Sequence, residues 1–360
     1  MADTSYPVGS PVAQKLWAKK LFHDAIGESF IGKFQGKGPD SLLQFKTETQ
    51  KDAGDRIRVT LRTLLTGAGV QEDGTLETNE ESLTTYTDDL LINQLRHAVR
   101  VEGKMSEQRV PFSVREEARA GLKDWWIERF ETSLANQLTG HTGQADTRYT
   151  GNNATVAPTA STRILCGGGH DAEASLSATT THAIALADLD RAVAKAKTTS
   201  GSTQRIRPLK VDGKEMYVAF LHPLQVYQMR RDASTAGNFF DVMKAQLQGS
   251  KISDNPIVSG ANFLYNNVLV HEWSYLPTIA GTPNSGAATN FRRGVFCGAQ
   301  AAIMGVGMNS SPTEMSWVEE LFDYDNKFGV AAGSIFGIKK AVFNSTDFGT
   351  IVLSGYAPVI

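Results

Sequence analysis

The nearest approach to a catalytic pair in this sequence is a cysteine and a histidine that flank three consecutive glycines. Cys166 and His170 are four positions apart, and a histidine beside a cysteine can take the thiol proton to give a thiolate nucleophile. Such a nucleophile also needs a third group that orients the histidine, and the sequence designates none. Nucleophilic catalysis is therefore an alternative rather than the prediction.

Metal-binding and cofactor-binding motifs are incomplete. His271 begins a segment like a zinc protease motif, but Tyr275 stands where the second histidine must be. Asp323 begins a segment like a calcium loop, but Lys327 occupies a ligand position. The run Gly305–Gly307 lacks the third glycine and the following helix that a dinucleotide site needs. We therefore expect a protein that is not an enzyme and that holds no metal ion or cofactor.

The composition disfavours several other classes of protein. The chain has 360 residues, with 36 Lys and Arg against 38 Asp and Glu, for a formal net charge of −2. This balance leaves no surplus of basic residues for a face that grips nucleic acid. Two cysteines are too few for a disulfide framework or a four-cysteine zinc site. The length exceeds the roughly 250–300 residues at which single cores stop growing, so we expect two domains or one domain with large excursions.

Targeting signals are not expected in this chain. Its start lacks the basic residues and apolar run of a signal peptide, and no stretch approaches the ~18 apolar residues of a membrane span. The sequence therefore predicts a protein made in the cytoplasm with no membrane partner.

The first 44 residues are expected to form an N-terminal arm. Apolar residues at helical spacing between Val12 and Phe30 predict a short amphipathic helix, which is followed by glycines and Pro39. An apolar stripe on a terminal arm must be buried against something. Its own domain and a neighbouring subunit are both open as partners.

Residues 45–112 combine strands with a long polar excursion. Ile57, Val59 and Leu61 alternate with polar residues, which predicts a strand with one polar face. Residues 72–89 then hold seven acids and no Lys or Arg, between basic flanks. Such a run is usually a solvated loop. The sharper alternative is a charged contact with a partner, because a long excursion without its own core is uncommon inside a compact domain.

The clearest predicted helix runs from Ser113 to Gly140. Ser113 is the expected N-cap with Glu116 in the capping-box position, and Gly140 stands where a C-terminal stop belongs. At 1.5 Å per residue this helix would be about 40 Å long. Trp125 and Trp126 are expected to pack in the core.

After an irregular stretch from 141 to 183, helices and strands alternate. Helices are predicted from Ile184 to Lys197 and near 224–231 and 239–247, with a hairpin at Asp212-Gly213 between the first two. The final third is predicted to be mostly strands. This order of strands, a long helix and then mixed elements predicts an α+β fold.

Several segments carry a resemblance to a known family. They are the helical segment AGLKDWWIERFE (120–131) with LTG (138–140), the strand and turn YVAFLHP (217–223), GAQA (298–301), and the closing run WVEELFDYDNKFG (317–329), GIKKAVF (337–343) and DFG (347–349). Together they resemble the major capsid proteins of tailed bacteriophages, specifically the N4-like podophage subfamily, which have the HK97-like fold.

The resemblance implies a particular organisation of the chain. Residues 1–44 would be the N-terminal arm and 45–112 the extended E-loop with its flanking strands. Residues 113–183 would be the peripheral domain, with the spine helix at 113–140, and 184–290 the axial domain. Residues 291–360 would supply return strands to both domains. In this family, pentamers and hexamers close an icosahedral shell around double-stranded DNA.

The resemblance also implies partners. A separate scaffolding protein is expected because only about 110 residues precede the spine helix, which leaves little room for a fused one. A portal is a further expected partner, a decoration protein is another candidate, and contact with packaged DNA would be non-specific. The protein would reside in the virion capsid after synthesis in the bacterial host cytoplasm.

Five acids of the excursion are candidate contacts between subunits. Glu77, Glu80, Glu81, Asp88 and Asp89 are predicted to meet Arg or Lys on a neighbouring copy. Charge pairs of this kind set register and partner choice more than affinity.

Two other functions stay open on the sequence. An encapsulin-like compartment of the same fold would hold protein cargo and would lack DNA. A soluble two-domain enzyme would depend on the Cys166 and His170 pair.

Overall fold

The structure is a computed structural model of the whole chain. It describes residues 30–46, 54–62, 65, 67–111, 113–198, 204–211, 213–231, 261–307 and 316–359. The predicted arm helix before residue 30 and the predicted helix at 239–247 lie outside the described residues.

The described residues form four α-helices, six short 3-10 helices and seventeen strands. The α-helices are α1 (Lys104–Gln108), α2 (Val114–Thr139), α3 (Leu186–Lys197) and α4 (Pro223–Arg231). The 3-10 helices are Phe30–Phe34, Thr147–Tyr149, Gly167–Gly169, Glu173–Ser175, Thr180–His182 and Ala288–Asn290. The strands are β1 (Gln35–Gly36), β2 (Leu43–Lys46), β3 (Arg56–Arg62), β4 (Thr85–Leu91), β5 (Asn93–Arg100), β6 (Ile164–Cys166), β7 (Leu209–Val211), β8 (Lys214–Leu221), β9 (Phe263–Tyr265), β10 (Val268–Glu272), β11 (Phe291–Cys297), β12 (Ala302–Val306), β13 (Ser316–Phe322), β14 (Lys327–Lys340), β15 (Val342–Phe343), β16 (Thr346–Asp347) and β17 (Thr350–Tyr356).

Two mixed sheets organise these elements. The first sheet has the order β1-β2-β12-β14-β13, with β5 also paired to β14. The second has the order β6-β17-β11-β8-β10-β9, with β7 paired to β8. The described strands from β11 onward join both sheets, since β12–β14 belong to the first sheet while β11 and β17 belong to the second. The α+β prediction is confirmed.

The long helix α2 packs between the two sheets. Leu122, Trp126 and Leu138 of this helix are fully buried, in one core with Phe336 of the first sheet and Phe220 of the second. Helices α3 and α4 cover the other face of the second sheet, where alternate residues of β8 point into a separate core. The molecule is therefore layered, with α2 as the element that both sheets share.

The ends of α2 follow from the sequence. The Ser113 hydroxyl accepts a hydrogen bond from the Glu116 N–H at 3.5 Å, which satisfies one of the free donors of the first turn. Gly140 ends the helix in the left-handed conformation, with φ 60°. The N–H groups of Gly140 and His141 donate back to Gln137 and Asn136, which is the Schellman arrangement. The predicted helix is thus confirmed at both ends.

A two-stranded hairpin, β3 with β4, covers the outer face of the first sheet. Arg56 pairs with Leu91 at its base and Arg62 with Thr85 at its far end. Ile57 and Leu90 bury their side chains against Ile303 of β12. The predicted strand with one polar face is therefore confirmed, because its apolar face packs on the sheet.

Two strands lie close to expected boundaries between units. Residues 35–36 and 43–46, at the end of the expected arm, form strands of the first sheet, and Leu42 is 1% exposed. The described part of the arm thus packs on its own chain. Strand β6 pairs with β17 of the second sheet. The expected boundary at residue 183 places β6 in the same unit as the long helix.

Replacing Gly337 by alanine tests how tightly the hairpin base is seated on β14. A Cβ at this position would lie 2.1 Å from the carbonyl oxygen of Leu91, so the hairpin must shift. We expect Gly337→Ala to lower the free energy of unfolding of the unassembled subunit by about 1–3 kcal/mol.

The matched control is Gly121→Ala, because a Cβ at this position in α2 meets no atom within 4 Å. Alanine there should leave stability unchanged or raise it by up to about 1 kcal/mol. Equal unfolding midpoints in urea for the two variants would refute the account of Gly337.

Candidate assembly surfaces

The candidate nucleophile of the sequence is not built as one. Cys166 is fully buried, and its backbone N–H donates to the His170 carbonyl oxygen at 2.7 Å. Burial, with the nearby Glu173 and Asp171 charges, raises the pKa of the Cys166 thiol to about 12. A thiol in this state is not the reactive thiolate that catalysis needs. The two residues are paired as backbone in a β-bridge, so the structure removes the one feature that favoured an enzyme.

The other incomplete motifs are structural as well. His271 lies buried in β10, and Asp323 lies in the exposed turn between β13 and β14. Among the described residues no group of three or more His, Cys, Asp or Glu is arranged to hold a metal ion. No described helix is long and apolar enough to span a membrane.

His222 has a capping role. Its Nδ1 accepts the Leu224 N–H at 3.1 Å, and its own N–H donates to the Gln225 side chain at 3.0 Å. The imidazole therefore closes the first turn of α4 as an Asn or Ser side chain would. Burial and the Arg292 charge lower the pKa of His222 to about 4.

The hairpin base is fixed to β14 by charge. The Lys339 ammonium contacts the Asp88 carboxylate and donates to the Asp89 carbonyl at 2.9 Å. The second Asp88 oxygen accepts the Val342 N–H at 3.2 Å. Arg58 and Asp89, opposite one another on β3 and β4, form a further ion pair at 2.7 Å, and the Arg58 hydrogen bonds hold the pKa of Asp89 below its ordinary value.

Side-chain amides complete the hydrogen bonding where β4 passes into β5. Asn153 donates to the Leu91 carbonyl and accepts the Leu91 N–H, both at 2.9 Å. Asn152 donates to the carbonyl of Phe336 at 2.8 Å. Gln137 of α2 donates to the carbonyls of Thr150 and Asn153 at 2.7 and 2.9 Å. These buried amides take the place of ladder bonds, so they tie the hairpin base to both α2 and β14.

The end of α2 is held by a buried cation from the second sheet. Arg293 of β11 donates to the carbonyls of Thr139 and Gly140 at 3.2 and 2.9 Å, and it pairs with Glu173 at 2.6 Å. Burial alone would raise the pKa of Glu173, but Arg293 and the Ser354 hydroxyl hold it below its ordinary value. A guanidinium at this end of a helix also offsets the partial negative charge of its last carbonyls.

A second buried cation reaches the same region from the first sheet. Lys340 is 1% exposed, donates to the Val156 carbonyl at 3.0 Å and lies 2.8 Å from Asp347. Burial lowers the pKa of Lys340 against the attraction of Asp347. Lys340 therefore helps to hold the turn that follows α2 against β14.

The far end of the hairpin is unlike its base. We call residues 67–84, which join β3 to β4, the tip segment. Nearly all of its residues are exposed, including Leu76 and Leu83 at 62% and 59%. It carries five of the seven acids in 72–89, and all five are exposed. Exposed leucines beside carboxylates mark a surface that is suited to a partner.

The five predicted contact acids therefore fall into two groups. Asp88 and Asp89 have partners within the chain, so their role in fixing the hairpin is already visible. Glu81 accepts the Gly67 N–H at 2.6 Å. Glu77 and Glu80 are exposed. Contact of any of the five with a neighbouring copy stays a prediction.

Sequence reasoning missed the residues that fix the hairpin and the helix end. They are Gln137, Asn152, Asn153, Glu173, Arg293, Lys339 and Lys340. The available signals were the adjacent lysines in an otherwise apolar and glycine-rich strand and the adjacent asparagines after Gly151. Neither signal shows which residues these side chains contact, because most of their partners lie in distant segments of the chain.

The chain is similar to solved structures of phage capsids. The chain matches the capsid of Ralstonia phage GP4 with a TM-score of 0.80 and 30% identity, over 99% of each chain. It matches the capsid asymmetric unit of Cyanophage Pam1 with a TM-score of 0.71 and 20% identity, over 100% of each chain. The fold is thus the α+β, HK97-like fold of phage capsid subunits, as predicted.

The sequence comparisons assign the family. The model of the family described as phage capsid protein matches residues 5–359. The major capsid protein of Pseudomonas phage KPP25 is 30% identical over 367 aligned positions, which cover 93% of each chain. The chain belongs to the phage capsid protein family, whose role is structural.

Replacing Asp88 by asparagine tests the ion pair with Lys339 that holds the hairpin on β14. Asp88 and Lys339 are only 10% and 18% exposed at their side chains, so the lysine would keep a partly buried charge without its carboxylate. We expect Asp88→Asn to lower the free energy of unfolding by about 1–3 kcal/mol. Glu80→Gln, which neutralises an exposed acid of the tip segment, should change it by less than about 0.5 kcal/mol. Equal losses in urea denaturation of the two unassembled variants would contradict this assignment.

Acid denaturation tests the buried state of His222. Its folded pKa, about 4, lies below the ordinary 6.5, so the unfolded chain takes up the proton first. The stability that neutral His222 contributes is full above pH 6.5 and is lost as the pH falls toward 4. His222→Asn keeps a capping side chain and should show a shallower loss of stability between pH 6.5 and 4 than the parent chain. Parallel stability curves would show that His222 does not titrate in this way.

Proposed function

We propose that this phage capsid protein is the major capsid subunit of an icosahedral head, and that its copies assemble into pentamers and hexamers around double-stranded DNA. The observation that carries the proposal is the match over nearly the full length, at 30% identity, to both a phage major capsid protein and a solved phage capsid. The exposed, acid-rich tip segment supports it, because a surface of this kind is suited to contact with a neighbouring copy.

The domain assignment is part of the same proposal. The hairpin β3–β4 with its tip segment would be the E-loop within 45–112, and residues 1–44 the N-terminal arm. The first sheet with α2 would be the peripheral domain, with α2 as its spine, and the second sheet with α3 and α4 the axial domain. The N4-like subfamily rests on the motif resemblance alone.

Partners follow from the proposed function. A separate scaffolding protein, a portal and a decoration protein are candidates, and synthesis would take place in the host cytoplasm. Packaged DNA would meet the shell without specific binding. The formal net charge of −2 supports this idea, since a strongly basic wall would hinder movement of the DNA during packaging and ejection.

The proposed E-loop contacts are those of the tip segment. Glu77, Glu80 and Glu81 would meet basic groups on a neighbouring copy, while Asp88 and Asp89 hold the hairpin in its own chain. The base is fixed by ion pairs and amides, so the tip is presented at a defined position rather than on a free tether. Presentation of this kind lowers the entropy lost on binding.

Particle formation is the direct test of the proposed function. We expect the full chain, co-expressed with its scaffolding partner, to sediment as closed shells that are visible by electron microscopy. Native particles from infected cells should contain DNA, whereas an encapsulin-like compartment would hold protein cargo without it. A chain that stays monomeric under these conditions would contradict the proposal.

A further inference from the structure

Most of the acids in the tip segment are not neutralised by their own chain. Glu72, Asp73, Glu77 and Glu80 are exposed, and within the described residues none of them has an ion-pair partner. The other acids of the run differ, because Asp88 and Asp89 are paired to Lys339 and Arg58. The tip therefore presents a concentrated negative charge beside exposed leucines.

The largest matching excess of positive charge lies in residues 191–215. This segment has seven Lys and Arg against two acids. It runs from α3 through β7 into β8, and part of it lines a groove of about 420 Å³. Among the lining residues, Lys197, Arg205 and Arg207 are exposed, whereas Pro208 is half-buried and Tyr217 is buried. We call Pro208 and Tyr217 the apolar floor of the groove.

The cations of this groove are also poorly neutralised. Lys197 and Arg205 are exposed and have no ion-pair partner among the described residues. Arg207 has only a long contact, 3.5 Å, with the half-exposed Asp40. Among the described residues that line the groove, Glu215 is the one acid. One chain thus carries an unneutralised acidic tip and an unneutralised basic groove.

We propose that the tip segment of one copy docks in the basic groove of a second copy, with Glu77 and Glu80 facing Lys197 and Arg205. The leucines of the tip would cover the apolar floor. This inference rests on the proposed shell function and names the surface that the E-loop acids contact. The charge pairs would select the correct neighbour and its register more than they add affinity.

The structure favours a second copy as the occupant. The tip is exposed in its own chain, so it does not fill its own groove in this conformation. A contact between two different surfaces of identical copies is heterologous, and its repetition closes a ring where the rotation from copy to copy divides a full turn. Such closure suits the proposed pentamers and hexamers. A DNA duplex is the weaker occupant, because the apolar floor and Glu215 offer nothing to phosphate.

Charge reversal with mixing tests this docking. We expect the tip variant Glu77→Lys/Glu80→Lys and the groove variant Lys197→Glu/Arg205→Glu each to lower the yield of shells about tenfold or more. Co-expressed in equal amounts, they should recover hexamers in which the two chains alternate, because the basic tip of one meets the acidic groove of the other. A five-membered ring cannot alternate and keeps one mismatched contact, so the yield of closed shells should rise only in part. A single chain with all four changes should assemble as well.

The control reverses a charge outside both surfaces. Arg109→Glu alters an exposed arginine elsewhere and should leave the yield of the parent chain unchanged. Melting temperatures of the unassembled variants must match that of the parent, so that lost assembly is not lost folding. If a charge-reversed pair unfolds, the neutral variants Glu77→Gln/Glu80→Gln and Lys197→Gln/Arg205→Gln replace it, and both should then make shell assembly less sensitive to salt.

Several results would overturn the inference while the shell function stands. Rescue by the four-change chain, with no hexamers that contain both chains after mixing, would place the contact within one chain. Loss of assembly with no rescue in either experiment would show that tip and groove are not partners. A groove variant that assembles normally but retains less DNA would assign the groove to nucleic acid. Absence of shells from the parent chain would instead contradict the proposed function itself.

Discussion

Two adjacent lysines of β14 hold together the parts of the molecule on which its shape depends. Successive residues of a strand point to opposite faces, so Lys339 reaches the hairpin on the outer face and Lys340 reaches the turn after α2 on the inner face. Lys340 is buried with Asp347, and a buried ammonium without its carboxylate would be strongly destabilising. The same strand therefore determines where both the hairpin and the long helix lie.

The rest of the arrangement depends on that strand. Arg293 links the second sheet to the C-terminal end of α2 by hydrogen bonds. The amides of Asn152 and Asn153 link β14 of the first sheet and the hairpin base to the segment that follows α2. Every one of these contacts joins segments that are far apart in sequence. As a result the base of the hairpin is rigidly placed, while its tip reaches solvent with its charges largely unpaired. The combination suits a subunit that acts by contacting copies of itself.

The sequence predicted the elements better than their connections. The helix from Ser113 to Gly140 followed from local capping chemistry, and the strand at Ile57 followed from its alternation. The buried pair of Arg293 with Glu173 could not be predicted, because these residues are 120 positions apart and only the tertiary fold brings them together. Lys340 and Asp347 are close in sequence, but no local pattern shows that they are buried as a pair. The roles of the acids in the excursion could not be predicted either. Asp88 and Glu80 belong to one run of acids, but Asp88 fixes the hairpin to its own chain whereas Glu80 is exposed. Only the fold distinguishes these two roles. The Cys166 and His170 pair was misleading because the two residues are close in sequence but interact only through their backbones. They form a β-bridge, and the Cys166 thiol is buried.

If this chain works as a shell subunit, its fixed hairpin is presented to a neighbouring copy. An electron cryomicroscopy reconstruction of the assembled particle would show this contact. We expect density for residues 67–84 of each copy to lie against an adjacent copy, with the hairpin held on its own β14 through Lys339 and Asp88. A reconstruction in which the tip segment contacts only its own chain, or in which the hairpin leaves β14 to form the shell, would contradict it.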